Sequence, residues 1–338
     1  MKKLLTFAVL VSLAVTLSGC DLTKKNNTTN TTGTTGGTTS VLDQKFVKGV
    51  TLSPKSFQGG DFNAFFAKAT EGNQIISWHG DINDLTKSNN AAATIVDLAK
   101  QKKYTPLVEV TYFNGGTGDL LRPLTAETKK SYQDTAVKFL KEHPVQYFGI
   151  GIEVDKLYLT SATNWQDFVT FFGEMADAIH REVPGTVVFP TFQLERMKGL
   201  NGGLYGGKND PAKNTWALLD QFPSADAVAF TTYPMIIYKS PSDLGDTYYS
   251  EITDHTKKTV LFTEIGWYAK GITGWDESSE AEQAAFVDRF FTLTKPVEPR
   301  VMIWSFLYDQ QVGEPFTSLG FFDRDGKERQ AWATWKSK

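Results

Sequence analysis

Two glutamates stand where a carboxylate is costly. Glu264 ends the apolar run of "VLFTEIGWY" at 260–268, and Glu153 ends that of "YFGIGIEVD" at 147–155. A carboxylate set against a hydrophobic strand needs a partner or a task. If the two runs are the fourth and seventh strands of one barrel, their carboxylates share its mouth. A carboxylate pair across a cleft is the equipment for glycosidic bond cleavage, one group protonating the leaving oxygen and the other attacking the anomeric carbon. Other strand-like runs end in residues that suit a sugar. "SWHGDIND" at 77–84 offers Trp78 and His79, "VTYFNGG" at 110–116 offers Tyr112 and Asn114, and "PTFQLE" at 190–195 offers Gln193. Trp267 follows Glu264 as a platform candidate. Asp155 reads as a loop charge. Trp165, Trp216, Trp332 and Trp335 lie on helical patterns and read as core.

The elements that would position these residues alternate along the chain. Strand candidates fall at 46–52, 74–78, 106–111, 147–152, 186–191, 227–232, 259–263 and 300–306. Most are continuous apolar runs, as expected of parallel strands covered on both faces. Helical patterns lie between them. Asn90 and Thr125 read as caps of two helices, and Ser278 or Ser279 as the cap of "SSEAEQAAFVDRFFTL". Eight strands with crossovers predict an α/β fold of the (β/α)8 type, a TIM barrel. A doubly wound sheet is the alternative. It wants a Gly-rich phosphate turn after its first strand, and "GVTLSPKSFQGG" is not one. No linker-like composition follows residue 45, so residues 45–338 read as one domain.

The chain before that domain has a different character. Residues 1–20 carry Lys2 and Lys3, then an apolar stretch, then "LSGC". This is a signal-peptide pattern that resembles a bacterial lipobox, which implies lipidation of Cys20. Residues 21–44 are rich in Thr, Asn and Gly and read as a flexible tether. The expectation is an extracytoplasmic protein anchored to a membrane by lipid. Cys20 is the only cysteine, so neither an intrachain disulfide nor a thiolate nucleophile is expected in the domain. A formal charge of −3 without any long basic run argues against nucleic acid as a partner. Four histidines and no metal-ligand spacing leave no metal and no other cofactor expected. Aromatic residues are 13% of the chain, which fits an oligosaccharide or polysaccharide substrate. Oligomeric state has no signal in the sequence.

Taken in order, several segments resemble the clan of retaining (β/α)8 glycoside hydrolases. "TEIGW" at 263–267 is similar to the clan's nucleophile strand, and "FTTYPM" at 230–235 to its sixth strand. "VMIWSFLYD" at 301–309 resembles its eighth, and "GFFDRDGKERQAW" its closing segment. The resemblance implies Glu264 as nucleophile and Glu153 as acid/base. It also implies Tyr233 as hydrogen-bond donor to the nucleophile and Trp304 as floor of the sugar site. Many clan members carry Asn just before the acid/base, where this chain has Ile152. The β-1,4-mannanase family also lacks that Asn, and "KGVTLSP" is nearer to endo-β-1,4-galactanases. The function implied is a retaining endo-β-glycanase acting on β-1,4-linked mannan or galactan. The alternatives are a non-catalytic glycan-binding lipoprotein, which Ile152 favours, and an exo-acting β-glycosidase.

Overall fold

The structure, a computed structural model, describes residues 46–275 and 277–338. The expected signal peptide, Cys20 and the expected tether lie outside the described residues. Among the described residues there are nine strands: β1 Val47–Thr51, β2 Ile75–Asp81, β3 Thr105–Thr111, β4 Tyr147–Ile150, β5 Val187–Phe189, β6 Thr191–Gln193, β7 Ala227–Thr232, β8 Thr259–Ile265 and β9 Val301–Trp304. They form one parallel sheet in the order β5-β4-β3-β2-β1-β9-β8-β7-β6. β5 and β6 are two halves of one strand, separated by Pro190. That residue has no N–H to give to a ladder, although its carbonyl still accepts from Ala229. Counted as one, they close the sheet into an eight-stranded (β/α)8 barrel, and β8 is its seventh strand.

The helices begin where short polar side chains cap them. Asn90 Oδ1 accepts from Ala93 N at 2.5 Å, opening α2 (Ala91–Lys102). Thr125 opens α3 (Ala126–Glu142), Ser161 opens α5 (Ala162–Glu182), and Ser279 opens α8 (Glu280–Leu293). Each such cap contributes about 1 kcal/mol. Ser278, the other cap candidate, instead accepts from the Trp267 indole. α1 (Gly59–Ala69) and α9 (Gln330–Lys336) complete the regular shell, and α4 (Asp155–Thr160) is one short turn after β4. The crossovers after β6 and β7 contain only 3-10 turns and the four-residue helices α6 (Leu194–Met197) and α7 (Ile252–His255).

Alternation along the strands divides their side chains between two environments. One set, including Ile75, Leu107, Tyr147, Phe189, Leu261 and Ile303, fills the lower barrel interior as a separate apolar cluster. The other set packs outward under the helices with the main core, where Trp165, Trp216, Trp332 and Trp335 are buried as expected. Two residues further along each strand, on the interior side, the lumen turns polar. Ile75 is followed by Ser77 and His79, Leu107 by Glu109, Phe189 by Thr191, Ala229 by Thr231 and Ile303 by Ser305. This polar layer lies at the C-terminal ends of the strands, where such barrels carry their sites.

Candidate active site

Glu264 belongs to the polar layer through an irregularity. β8 pairs with β7 as Phe230↔Phe262 and then Thr231↔Glu264, so Thr263 is an extra residue, and the register with β9 shifts there too. A bulge of this kind re-aims side chains. Leu261 faces the interior, and strict alternation would send Thr263 inward and Glu264 outward. With the bulge both reach the interior, Thr263 beside Glu109 and Glu264 beside His79. Glu264 Oε1 faces His79 Nδ1 at 3.0 Å, and Oε2 accepts from the Tyr233 hydroxyl at 2.5 Å. The same hydroxyl lies 2.8 Å from Ser305 Oγ. Burial first, then the charge of Glu264, holds the Tyr233 phenol well above its usual range, so it remains a donor.

Glu153 lies three residues past the end of β4, beyond Gly151, and has a left-handed backbone with φ 54°. Its Oε1 accepts from Thr231 Oγ1 at 2.7 Å, and its Oε2 accepts from Arg196 Nη2 at 2.7 Å. β7 therefore connects the two glutamates. Thr231 holds Glu153, and Tyr233, two residues on, holds Glu264. Arg196 also donates through Nε to Asp155 Oδ2 at 2.6 Å. Burial opposes the charge on Arg196, but Asp155 and Glu153 prevail and raise its pKa well above the ordinary value.

Of the sequence-predicted residues, the structure brings Glu153, Glu264, Tyr233 and His79 together. It removes others from the surface of the site. Trp304 is fully buried on the outer side of β9, stacked on Phe321 at 4.8 Å and against Trp335, so it cannot floor a sugar site. Its inward neighbour is Ser305. Trp267 is likewise buried, packed on Phe286 of α8 at 5.1 Å. Tyr112 is sealed among Tyr132, Phe168 and Phe171 of α3 and α5. Trp78 is 9% exposed and belongs to the outer core. Gln193 points inward but is consumed by structure: its Oε1 accepts from Arg196 N at 2.7 Å, and its amide donates to Glu195. Asp155, read as a loop charge, is 1% exposed and accepts from Arg196 and Gln193 N. Asn114 closes a turn by accepting from Gly116 N and Thr117 N.

Sequence reasoning missed four residues that shape the site: Thr231, Arg196, Glu195 and Glu109. Glu195 is fully buried, taking bonds from Thr232, Tyr248 and Tyr233 N. Glu109 was detectable as a carboxylate inside the apolar run "PLVEVT" at 106–111. Thr231 was detectable as the inward residue two before Tyr233. Arg196 follows the broken fifth strand and carried no spacing signal. Among the described residues, no group of three or more His, Cys, Asp or Glu side chains could hold a metal ion.

No protein-family model matches the chain, and no curated protein matches it. Solved structures do resemble it. An exo-β-1,4-mannosidase from Opitutaceae bacterium strain TAV5 aligns with a TM-score of 0.63 at 12% identity, covering 86% of this chain and 59% of that one. A family 39 glycoside hydrolase from Bacteroides cellulosilyticus WH2 aligns at 0.60 and 14% identity, covering 88% and 64%. A GH5_18 protein from Streptomyces cattleya in complex with Manβ1-4GlcNAc aligns at 0.62 and 14% identity, covering 87% and 80%. The chain thus spans less than two thirds of the length of the first two. At these identities the likeness is one of fold, the (β/α)8 barrel that this chain shares with glycoside hydrolases.

Proposed function

We propose that the domain is a glycoside hydrolase that works by double displacement. The observation that carries this reading is the pairing of Glu264 and Glu153 through β7, with both oxygens of Glu264 held by His79 and Tyr233. Glu264 attacks the anomeric carbon while the Tyr233 hydroxyl and His79 fix its oxygens. Glu153 gives a proton to the leaving oxygen, then takes one from the water that releases the glycosyl group. The occurrence of this barrel in a β-1,4-mannosidase and other glycosidases supports a β-linked glycan as substrate. We propose a β-1,4-linked polysaccharide of mannan or galactan type cut internally, with exo-action as the alternative.

A reducing-sugar screen over β-glycans, using protein that lacks residues 1–40, tests the activity. Roles are then assigned on an activated aryl glycoside. Glu264→Ala abolishes turnover. Glu153→Ala still forms the glycosyl-enzyme, and azide restores turnover with a β-glycosyl azide as product. With azide, Glu264→Ala gives the α-azide by a single displacement; a β-azide from Glu264→Ala reverses the assignment.

A second reading has an observation in its favour. Both oxygens of Glu153 are already engaged, by Arg196 and Thr231, and Ile152 precedes it. A glycan-binding protein without hydrolysis would carry such a site, and the absence of turnover on every β-glycan, with binding retained, selects it.

A further inference from the structure

Beneath Glu264 lies a carboxylate for which the proposed chemistry has no direct use. Glu109 is fully buried in the barrel lumen. It is the register partner of His79 across the β2–β3 ladder, and both side chains point inward. The imidazole therefore stands between two carboxylates, with Nδ1 3.0 Å from Glu264 Oε1 and Nε2 3.4 Å from Glu109 Oε2. Neither His79 Nε2 nor Glu109 Oε2 has a nearer hydrogen-bond partner. The other oxygen of Glu109 accepts from the Thr191 hydroxyl, and Thr263 Oγ1 stands beside the carboxyl. Space for this group is built into the facing strand: a Cβ on Gly149 would lie 2.4 Å from Glu109 Cγ.

We propose that Glu109 is a positioning residue that acts through His79 to aim and charge-balance Glu264. This rests on the reading of Glu264 as the nucleophile. The groups facing the imidazole are Glu109 from β3 and Glu264 from β8, while Tyr233 faces Glu264 from the end of β7. Two protons can be placed between Glu109 and His79 in two ways. Either the ring is an imidazolium beside a carboxylate, or a neutral ring accepts from a protonated Glu109. In both, Nδ1 carries a hydrogen and donates to Glu264. Without an acidic partner at Nε2, a neutral ring can instead place its hydrogen on Nε2 and turn a lone pair toward Glu264, which repels a carboxylate. Electrostatics agree with the geometry. Burial draws the His79 pKa down, but the bond to Glu264 and the charges of Glu109 and Glu264 overcome it and raise the value. Burial pushes Glu109 up to about 7, against the lowering influence of His79 and Thr191.

The test does not require activity. The chain has four histidines. Nitrogen-15 labelling of histidine, with His143→Gln, His180→Gln and His255→Gln for assignment, isolates the His79 ring. In the wild type, Nδ1 is protonated at pH 7, and the ring titrates above the ordinary imidazole value. In Glu109→Gln the midpoint falls by at least one pH unit. Wild-type His79 with a bare Nδ1 at pH 7 overturns the proposal without recourse to a variant, and so does an unchanged midpoint in Glu109→Gln. Where hydrolysis is measurable, Glu109→Gln moves a limb of the kcat/KM pH profile by a similar amount, and Glu109→Asp moves it back toward the wild type. A uniform loss at every pH assigns Glu109 a packing role and overturns the proposal. If no substrate is hydrolysed, the glycosidase reading fails while the ring titration still decides the relay.

Discussion

Glu109 makes the stability of the barrel depend on pH in an unusual direction. Its folded-state pKa is pushed from 4.5 up to about 7, chiefly by burial, with no solvent reaching the side chain. The folded protein therefore holds a proton on Glu109 over a range in which the unfolded chain has released it. Stability from this group is full below pH 4.5 and is lost as pH rises to about 7, the reverse of a salt-bridged carboxylate. At 1.36 kcal/mol per unit, the full loss is about 3 kcal/mol, most of it between pH 5 and 8. The raised value of His79 acts in the same direction, since a cation favoured by folding is lost as pH climbs. Glu109→Gln keeps the shape of the protonated side chain and removes its titration. Urea denaturation of both proteins at pH 5 and pH 8 measures the effect, because titrations common to the two cancel in the difference, while the shifted titration of His79 adds to it in the same direction. The expected result is near equality at pH 5 and a variant more stable than the wild type by about 3 kcal/mol at pH 8. A difference that does not change with pH, or that changes in the opposite sense, refutes the reasoning.

Three further outcomes are expected. Tyr233→Phe loses the bond to Glu264 but keeps the ring against Phe316 at 5.1 Å, so hydrolysis falls about 10- to 100-fold, from about 1.5–3 kcal/mol, while the melting temperature hardly moves. Arg196→Met strips the buried Asp155 of its cation and destabilises the domain by about 3–5 kcal/mol in urea denaturation. Cys20→Ala, in cells that process lipoproteins, moves the protein from the membrane fraction to the soluble one, as the lipobox-like sequence implies.

The barrel was legible because eight apolar runs recur with helical stretches between them, and the caps at Asn90, Thr125 and Ser279 marked where helices start. Within the site, one period-2 rule separates what could be read from what was misread. Val301 and Ile303 face the lumen, so Ser305 does too and Trp304 cannot. The same parity sends Trp78 and Tyr112 outward and brings His79, Glu109 and Tyr233 inward, whereas Trp267 is turned outward by the bulge in its strand. Aromatic identity suggested platforms; position on the pleat decided against them. Glu264 would fail the parity test, and only the extra residue at Thr263 turns it inward. A bulge leaves no mark in composition or spacing. Arg196 was hidden for a related reason, since Pro190 breaks the fifth strand and the chain that follows obeys neither period.

The left-handed backbone of Glu153 sets folding against chemistry at one position. A side chain at φ 54° costs about 1–2 kcal/mol relative to glycine, which adopts that conformation freely. If Glu153 became Gly, Arg196 would still have Asp155 as a counter-ion, so the loss of one ion pair would be offset by relief of the turn. Selection for a well-folded barrel alone therefore offers little resistance to losing this carboxylate. A screen of variants for thermal tolerance, run without reference to turnover, would tend to erase the proposed acid/base residue and keep everything around it, so that on the proposed reading one substitution would leave a stable receptor for the same glycan.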